Sequence, residues 1–503
     1  MKFIQQMDAS MASLWKMDDE DLIKWLFNCI DVQGCNVDIF FWETDMFMEQ
    51  ETEANNRSSY IAFKERGTDI MQIIIDECHR RGIKAYFHHR FSEVERENPA
   101  PDFDENGNIV PEGRNRVKYE HPDWIIKTWW KNGLWNLASE DMQNFKLDYL
   151  ERMMKKYDFD GICIDYLRHL PCLPVGKQWE LRECATEFMC RLKKRMSSIG
   201  RDIAVGAKLP ENLKSCHHDG FDVEDWAKKG CVDFMVAGSR TINPDIEGYK
   251  KITDGTEIEI YACWDTWHVA DAYHFQKADF YHGMLSNFKE QGADGVVGFN
   301  YAPAPYSQLQ KLLQPDEIYW SSGDEYSDFY NEFEKAGDST LQARYVADRR
   351  GGYPYLNGCG GNNAFAPLPE EIPNDETLLD IPIIISTEYP KGRNVKVKFV
   401  ITNAKVDCDK FRVFLNGEEA KDFITDFCYT DAQIFWPEQQ PLSLRTECYS
   451  KNPSTMLAIE AEFDSKFLKL GENNVSICVV DRRNYIVDSI NVEKAEITIE
   501  GIK

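Results

Sequence analysis

Seven times in the first 300 residues a short apolar run stops on polar or aromatic side chains, and a longer charged, amphipathic stretch follows. The runs are NVDIFFWETD (36–45), GIKAYFHHR (82–90), GICIDYLR (161–168), IAVGAKLPE (203–211), VDFMVAGSR (232–240), IEIYACWD (258–265) and GVVGFNY (295–301). Between them lie helical patterns. In SEDMQNFKLDYLERMMKKY, Phe145, Leu147, Leu150, Met153 and Met154 recur at helical spacing. DVEDWAKKG reads as a short capped helix that runs straight into a strand. Strand–helix alternation on this scale demands a parallel sheet with helices covering it. With an eighth strand expected near LWNLAS (134–139), the count is that of an α/β (β/α)₈ TIM barrel, expected from about residue 20 to 302. A doubly wound sheet is the rival, and no G-x-G-x-x-G loop follows the first run to support it.

After Tyr301 the texture changes. Residues 303–380 carry Pro- and Gly-rich stretches such as RRGGYPYLNGCGGNN, and read as a loop-rich connection with a helix or two. From 381 to 503 short alternating strands predict an all-β sandwich domain: IPIIIST, NVKVKFVIT, FRVFLNG, MLAIEAEF, NVSICVVD and AEITIEG. The expected division is therefore a barrel over 1–302, a connection over 303–380 and an accessory sandwich over 381–503.

A net charge of −27 excludes nucleic acid and anionic membrane surfaces as partners, because both require clustered positive charge. No stretch reaches membrane-spanning length, and the N-terminal MKFIQQMDASMASLWKMDDED has no apolar signal core. The 15 cysteines are odd in number and form no C-x-x-C pair. Cys163 and Cys231, in or beside apolar runs, are expected as buried free thiols. Together these features predict a cytoplasmic protein, with an export signal removed from the chain as the alternative. Self-association is compatible with all of them.

In a barrel, chemistry gathers at the C-terminal strand ends. Those ends present Trp42 and Glu43; His88, His89 and Arg90; Asp165, Tyr166 and Arg168; and Lys208 with Glu211. Later ends add Arg240; Trp264, Asp265, Trp267 and His268; and Asn300 with Tyr301. Carboxylates, indoles and imidazoles together suit a sugar, whose ring faces stack on aromatics and whose hydroxyls hydrogen-bond carboxylates. Asp165 ends a run too apolar to bury it unpaired, so it is expected in the mouth or against Arg168. As a nucleophile it would need a second carboxyl group able to donate a proton. Glu211 is the expected acid; Glu43, Glu93 and Asp265 compete for that role. The pairs His88–His89 and His217–His218 do not form metal sites by themselves, since adjacent strand residues face opposite ways. Neither H-E-x-x-H nor G-x-S-x-G occurs, so no metal or other cofactor is expected.

KYDFDGICIDYLR resembles the YDVDGIHxDYxR signature of the glycosyl hydrolases of the family-10-like group, bacterial (β/α)₈ proteins akin to α-amylases and α-galactosidases. ECHRRGIKAYFHHR, DVEDWAKKGCVDFMVAGSR and GADGVVGFNY are similar to further segments of that group, in the same order, over roughly residues 30–302. The resemblance implies that Asp165 is the nucleophile, that the acid follows the fifth or sixth strand, and that the substrate is a carbohydrate. The chain departs from the group at HHR, where a tryptophan-bearing end is usual, and at Ala237-Gly238, where a proline is typical. A glycoside hydrolase acting on a small oligosaccharide or glycoside is expected; a non-catalytic carbohydrate-binding or scaffold protein is the alternative.

Overall fold

The computed structural model describes residues 1–8, 18–32, 34–44, 63–93, 102–103, 109–110, 113–128, 132–239, 241–265, 278–299, 327–350, 365–405, 408–429, 456–482 and 488–501. Eight parallel strands close into a barrel: β1 (Lys2–Asp8), β2 (Ile39–Thr44), β3 (Lys84–Arg90), β4 (Gly161–Asp165), β5 (Ala204–Leu209), β6 (Phe234–Ala237), β7 (Glu259–Asp265) and β8 (Gly295–Phe299). They neighbour one another in chain order, and β8 pairs with β1 to complete the ring. The expected TIM barrel is present, but one strand is not where it was expected. Leu134–Trp135 forms a small antiparallel hairpin with Ile125–Ile126, outside the barrel. The eighth strand is instead KFIQQMD at the N-terminus, so the barrel begins at residue 2 rather than near 20. Two glutamines interrupt that apolar run and hide it. Both are buried: Gln5 donates to the Leu26 carbonyl oxygen and accepts from the Cys29 thiol, and Gln6 turns inward among charged groups.

A helix follows each strand: α1 (Asp19–Leu26), α2 (Ile70–Arg80), α3 (Glu140–Lys156), α4 (Arg182–Ser197), α5 (Val223–Lys229), α6 (Ile246–Ile252), α7 (Ala278–Glu290) and α8 (Ser327–Lys335). Local chemistry sets their limits. Ser139 caps α3 through the Met142 N–H, with Glu140 and Asp141 in the first turn and Lys155 and Lys156 in the last, as the helix dipole favours. Met142, Leu147, Leu150 and Met154 form its buried stripe. Asp222 caps α5, and Gly230 ends it in the left-handed conformation, as read from the sequence. Helix α8 comes from the segment expected as connection. Its Phe329, Tyr330 and Phe333 rings lie 5.4–5.9 Å from Phe3 of β1.

Side chains alternate strictly across the barrel wall. Outward residues such as Phe40, Trp42, Phe87, Ile162 and Ile164 join the large core under the helices. Inward residues Ile4, Phe41, Tyr86, Cys163, Phe234, Tyr261, Val297 and Phe299 form a second core inside the ring. The rings of Phe41, Tyr86, Phe234 and Tyr261 meet at 5.5–6.0 Å. Glycine makes room for them: a Cβ at Gly206 would sit 2.4 Å from Phe234, and one at Gly161 would sit 2.7 Å from Tyr86. The centre is thus a packed aromatic floor, not a pore.

The C-terminal region is two antiparallel sheets. One runs β9–β16–β11–β14–β13 (Ala343–Val346, Asn491–Ile499, Asn394–Thr402, Met456–Asp464, Phe423–Asp426). The other runs β10–β15–β12 (Leu379–Ile385, Gly471–Asp481, Lys410–Leu415) and ends on Glu418–Glu419. Along β11, Val395, Val397, Phe399 and Ile401 are fully buried between the sheets. The 303–380 segment therefore supplies a sandwich strand, β9, as well as α8. The sandwich docks on α7, where Asn287 bonds the backbone of Ile384 and Ser386, and where Gly283 lets the Arg344 carbonyl approach.

The cysteine expectation holds for Cys163, a buried free thiol whose pKa burial pushes well up. It fails for Cys231, which is bonded to Cys190 of α4 and ties that helix to the loop before β6. The apolar surroundings of Cys231 were read correctly, but a partner 41 residues away leaves no local mark. Among the described residues, no helix is long and apolar enough to cross a membrane.

Candidate active site

Above the aromatic floor the inward positions turn polar on five consecutive strands: Gln6 on β1, Glu43 on β2, His88 and Arg90 on β3, Asp165 on β4 and Lys208 on β5. All six are buried, with exposures of 8% or less. Period-two geometry accounts for the set. Glu43 follows Phe41, His88 follows Tyr86 and Asp165 follows Cys163, each one step further up the same inner face.

The charges compensate one another. Arg90 Nε ion-pairs with Glu43 Oε1, and Gln6 Nε2 donates to Glu43 Oε2 at 2.8 Å. Lys208 Nζ reaches Gln6 Oε1 at 3.3 Å and lies 4.4 Å from the Phe299 ring centroid. Asp165 Oδ1 accepts the N–H groups of Leu167 at 2.8 Å and Arg168 at 3.1 Å, and its Oδ2 faces His88. His88 stands between the two carboxylates. Nδ1 is 3.3 Å from Glu43 Oε2, and Nε2 is 3.8 Å from Asp165 Oδ2. Its ring packs on Phe41 at 5.6 Å. Ligand-type atoms of Glu43, His88 and Asp165 all lie within 4.8 Å of one another, the one such trio among the described residues.

Glu211, two residues beyond β5, sits in different surroundings. It is buried, and its Oε1 accepts from Ser215 Oγ at 2.6 Å and from Asn212 Nδ2 at 3.3 Å. Burial pushes its carboxyl pKa up to about 7. It lines a cleft of about 160 Å³ with Asn243, Asp348, Phe365 and the sandwich residues Pro382, Ile384 and Glu472. Asp348 is half-buried as a residue, but its carboxyl end is enclosed, and burial raises it to about 6. Thr241 Oγ1 at 2.6 Å and the Ile242 N–H at 2.9 Å hold it. Nothing in the sequence near Asp348 marks it, because the loops after β5 and β6 meet it only in the folded chain.

Other sequence candidates take places away from the mouth. Trp42, His89 and Trp264 point outward, as strand alternation requires of neighbours of inward residues. Trp42 lies beside Phe40, His89 near Phe87 and Tyr149, and Trp264 near Phe280. Tyr166 packs among Phe91, Phe221 and Trp226, and its hydroxyl meets the Met189 sulfur at 3.2 Å. Glu93 lies behind β3, ion-paired with Lys146 and bonded to Trp135 Nε1 at 3.1 Å. Arg168 is half-buried and meets Asp165 through its backbone N–H. Asp265 closes β7. Arg240, Trp267, His268, Asn300 and Tyr301 lie outside the described residues. Gln6 was missed with its strand; a period-two reading of KFIQQMD places it on the inner face with Ile4.

No protein-family model matches the chain, and no curated protein matches it in sequence. Among solved structures it is similar to glycoside hydrolases and related enzymes. A cycloisomaltooligosaccharide glucanotransferase of Paenibacillus sp. is 11% identical, with a TM-score of 0.33; the match covers 98% of this chain and 57% of that one. A maltogenic alpha-amylase of Thermotoga neapolitana is 8% identical, with a TM-score of 0.37 over 94% and 98% of the two chains. An Anoxybacillus alpha-amylase is 11% identical, with a TM-score of 0.35 over 95% and 98%. These are likenesses of fold, and the functional reading rests on the site itself.

Proposed function

We propose that this chain is a glycoside hydrolase that cleaves a small oligosaccharide or glycoside by a two-carboxylate, retaining mechanism, with Asp165 as nucleophile and Glu211 as general acid. The observation that supports it most is a pair of buried carboxyl groups on neighbouring strand ends with opposite surroundings. Asp165 is fixed by two backbone N–H donors beside His88, whereas Glu211 is lifted to about 7 and can carry a proton at neutral pH. In this reading Asp165 Oδ2 attacks the anomeric carbon while Glu211 protonates the departing oxygen; the same group then activates water against the glycosyl-enzyme. Lys208, Arg90 and His88 line the sugar subsite. Kinship with the family-10-like glycosyl hydrolases belongs to this proposal, as does the division into a catalytic barrel and an accessory sandwich.

A second assignment of the acid has its own observation. Carboxylate oxygens of Glu43 and Asp165 lie within 4.8 Å, close to the separation of about 5–5.5 Å that retaining enzymes use. Against Glu43, both its oxygens are already engaged, by Arg90 and by Gln6. Aryl glycosides with graded leaving groups, alongside natural oligosaccharides, separate the two. Replacing the true acid should slow substrates with poor leaving groups and spare those with good ones. No turnover of any glycoside by the wild-type chain would leave the non-catalytic carbohydrate-binding reading in its place.

A further inference from the structure

The imidazole of His88 is fully buried; its Nδ1 faces Glu43 Oε2 at 3.3 Å, and its Nε2 makes no hydrogen bond among the described residues. Leaving such a group unsatisfied costs about 1–3 kcal/mol, so a buried imidazole between two carboxylates asks for a third participant. The spacing says which kind. A gap of 3.8 Å between His88 Nε2 and Asp165 Oδ2 is too long for a hydrogen bond. Two ligands each about 2.1 Å from one ion stand about 3.4 Å apart in a tetrahedron and at most about 4.2 Å apart, so the gap admits an ion at a widened angle.

We infer that the barrel mouth binds one divalent transition-metal ion between His88 Nε2 and Asp165 Oδ2, with Glu43 orienting the imidazole through Nδ1. The Glu43 Oε2–His88 Nδ1 separation of 3.3 Å has the carboxylate–histidine–metal arrangement that sets the tautomer of a ligating imidazole. Imidazole plus carboxylate suits zinc, cobalt or manganese, whereas calcium and magnesium take oxygen ligands. Water completes the coordination, since two protein ligands leave positions open. Arg90 is ion-paired with Glu43, so Asp165, opposite Lys208 on β5, is the carboxylate that faces the ion. The ion takes the Asp165 oxygen that the proposed hydrolysis needs, so metal and glycoside exclude each other. This inference goes beyond the glycosidase reading, and only the exclusion depends on that reading.

The test uses the full chain without substrate. Cobalt(II) is titrated into chelator-treated protein and followed by its visible d–d bands, and zinc is titrated by calorimetry. One ion per chain should bind, with no thiolate-to-cobalt charge-transfer band. His88→Gln and Asp165→Asn should each weaken zinc by about 100-fold, while Glu224→Gln, on the exposed face of α5, leaves it unchanged. Circular dichroism and melting curves verify that the variants fold. A wild-type chain that binds neither ion, a thiolate band, or binding that survives both His88→Gln and Asp165→Asn overturns the inference. Because no turnover is measured, the outcome is independent of whether the chain cleaves glycosides.

Discussion

The barrel mouth and the cleft beside Glu211 are both buried and both rich in carboxyl groups, but they solve the cost of burial differently. In the mouth, Glu43 and Asp165 share their enclosure with Arg90, His88 and Lys208, so charge is met by charge. In the cleft, Glu211 and Asp348 are met by two hydroxyls, a carboxamide and a backbone N–H. Neutral donors offset less of the desolvation, and there the carboxyls keep their protons toward neutral pH. One chain thus holds fixed charges at one strand end and an exchangeable proton near the next, the division of labour that acid-assisted displacement requires.

The sharpest way to break this comparison is to remove the cation from the mouth. Arg90→Met should strand Glu43 as an uncompensated buried charge and cost about 3–5 kcal/mol of stability, read by denaturant unfolding. A loss under 1 kcal/mol would mean that the mouth does not depend on paired charges. Asp165→Asn should keep the fold while turnover falls about 1000-fold, a barrier increase near 4 kcal/mol, with little change in KM. An Asn variant that loses stability but keeps its activity per folded molecule would make Asp165 structural.

The cleft predicts a pH dependence. Glu211 moves from an ordinary carboxyl value of 4.5 to about 7 in the folded chain, so the native state binds the proton more tightly than the unfolded one. Its contribution is fully present below pH 4.5 and is lost as pH rises through about 7, a change on the order of 3 kcal/mol. Melting temperatures at pH 5 and pH 8 should therefore differ by less in Glu211→Gln than in the wild type, because the variant gains at pH 8. If Glu211 is the acid, wild-type turnover should also fall above about pH 7, where its proton leaves. The smallest effect is expected from Ser215→Ala, which removes one neutral donor to Glu211 and costs about 1 kcal/mol.

Much of the fold was legible because its elements repeat a local pattern. The runs carrying Glu43, Arg90, Asp165 and Glu211 were recognisable as strands by apolar content, and Asp222 marked a helix start by capping. β1 was not legible, because Gln5 and Gln6 are satisfied by Leu26, Cys29, Glu43 and Lys208, contacts that no local window contains. Of the strand-end candidates, Glu43, His88, Arg90, Asp165 and Lys208 meet in the mouth. Trp42, His89, Tyr166 and Trp264 do not, although they stand beside them in the chain. A strand end was readable from composition, but which of two adjacent residues faces inward depends on register.

By itself, then, the sequence determined the alternation of strand and helix, the change to a β-sandwich, and the arrival of Asp165 at a polar strand end. Each follows from short-range rules of periodicity, capping and the cost of burying charge. Only the tertiary structure decided that KFIQQMD closes the ring and that Cys190 reaches Cys231. It also decided that His88 stands between two carboxylates from neighbouring strands, and that Asp348 shares an enclosure with Glu211. Those relations join residues tens to hundreds of positions apart, and barrel closure, a long-range condition, is what brings them within reach.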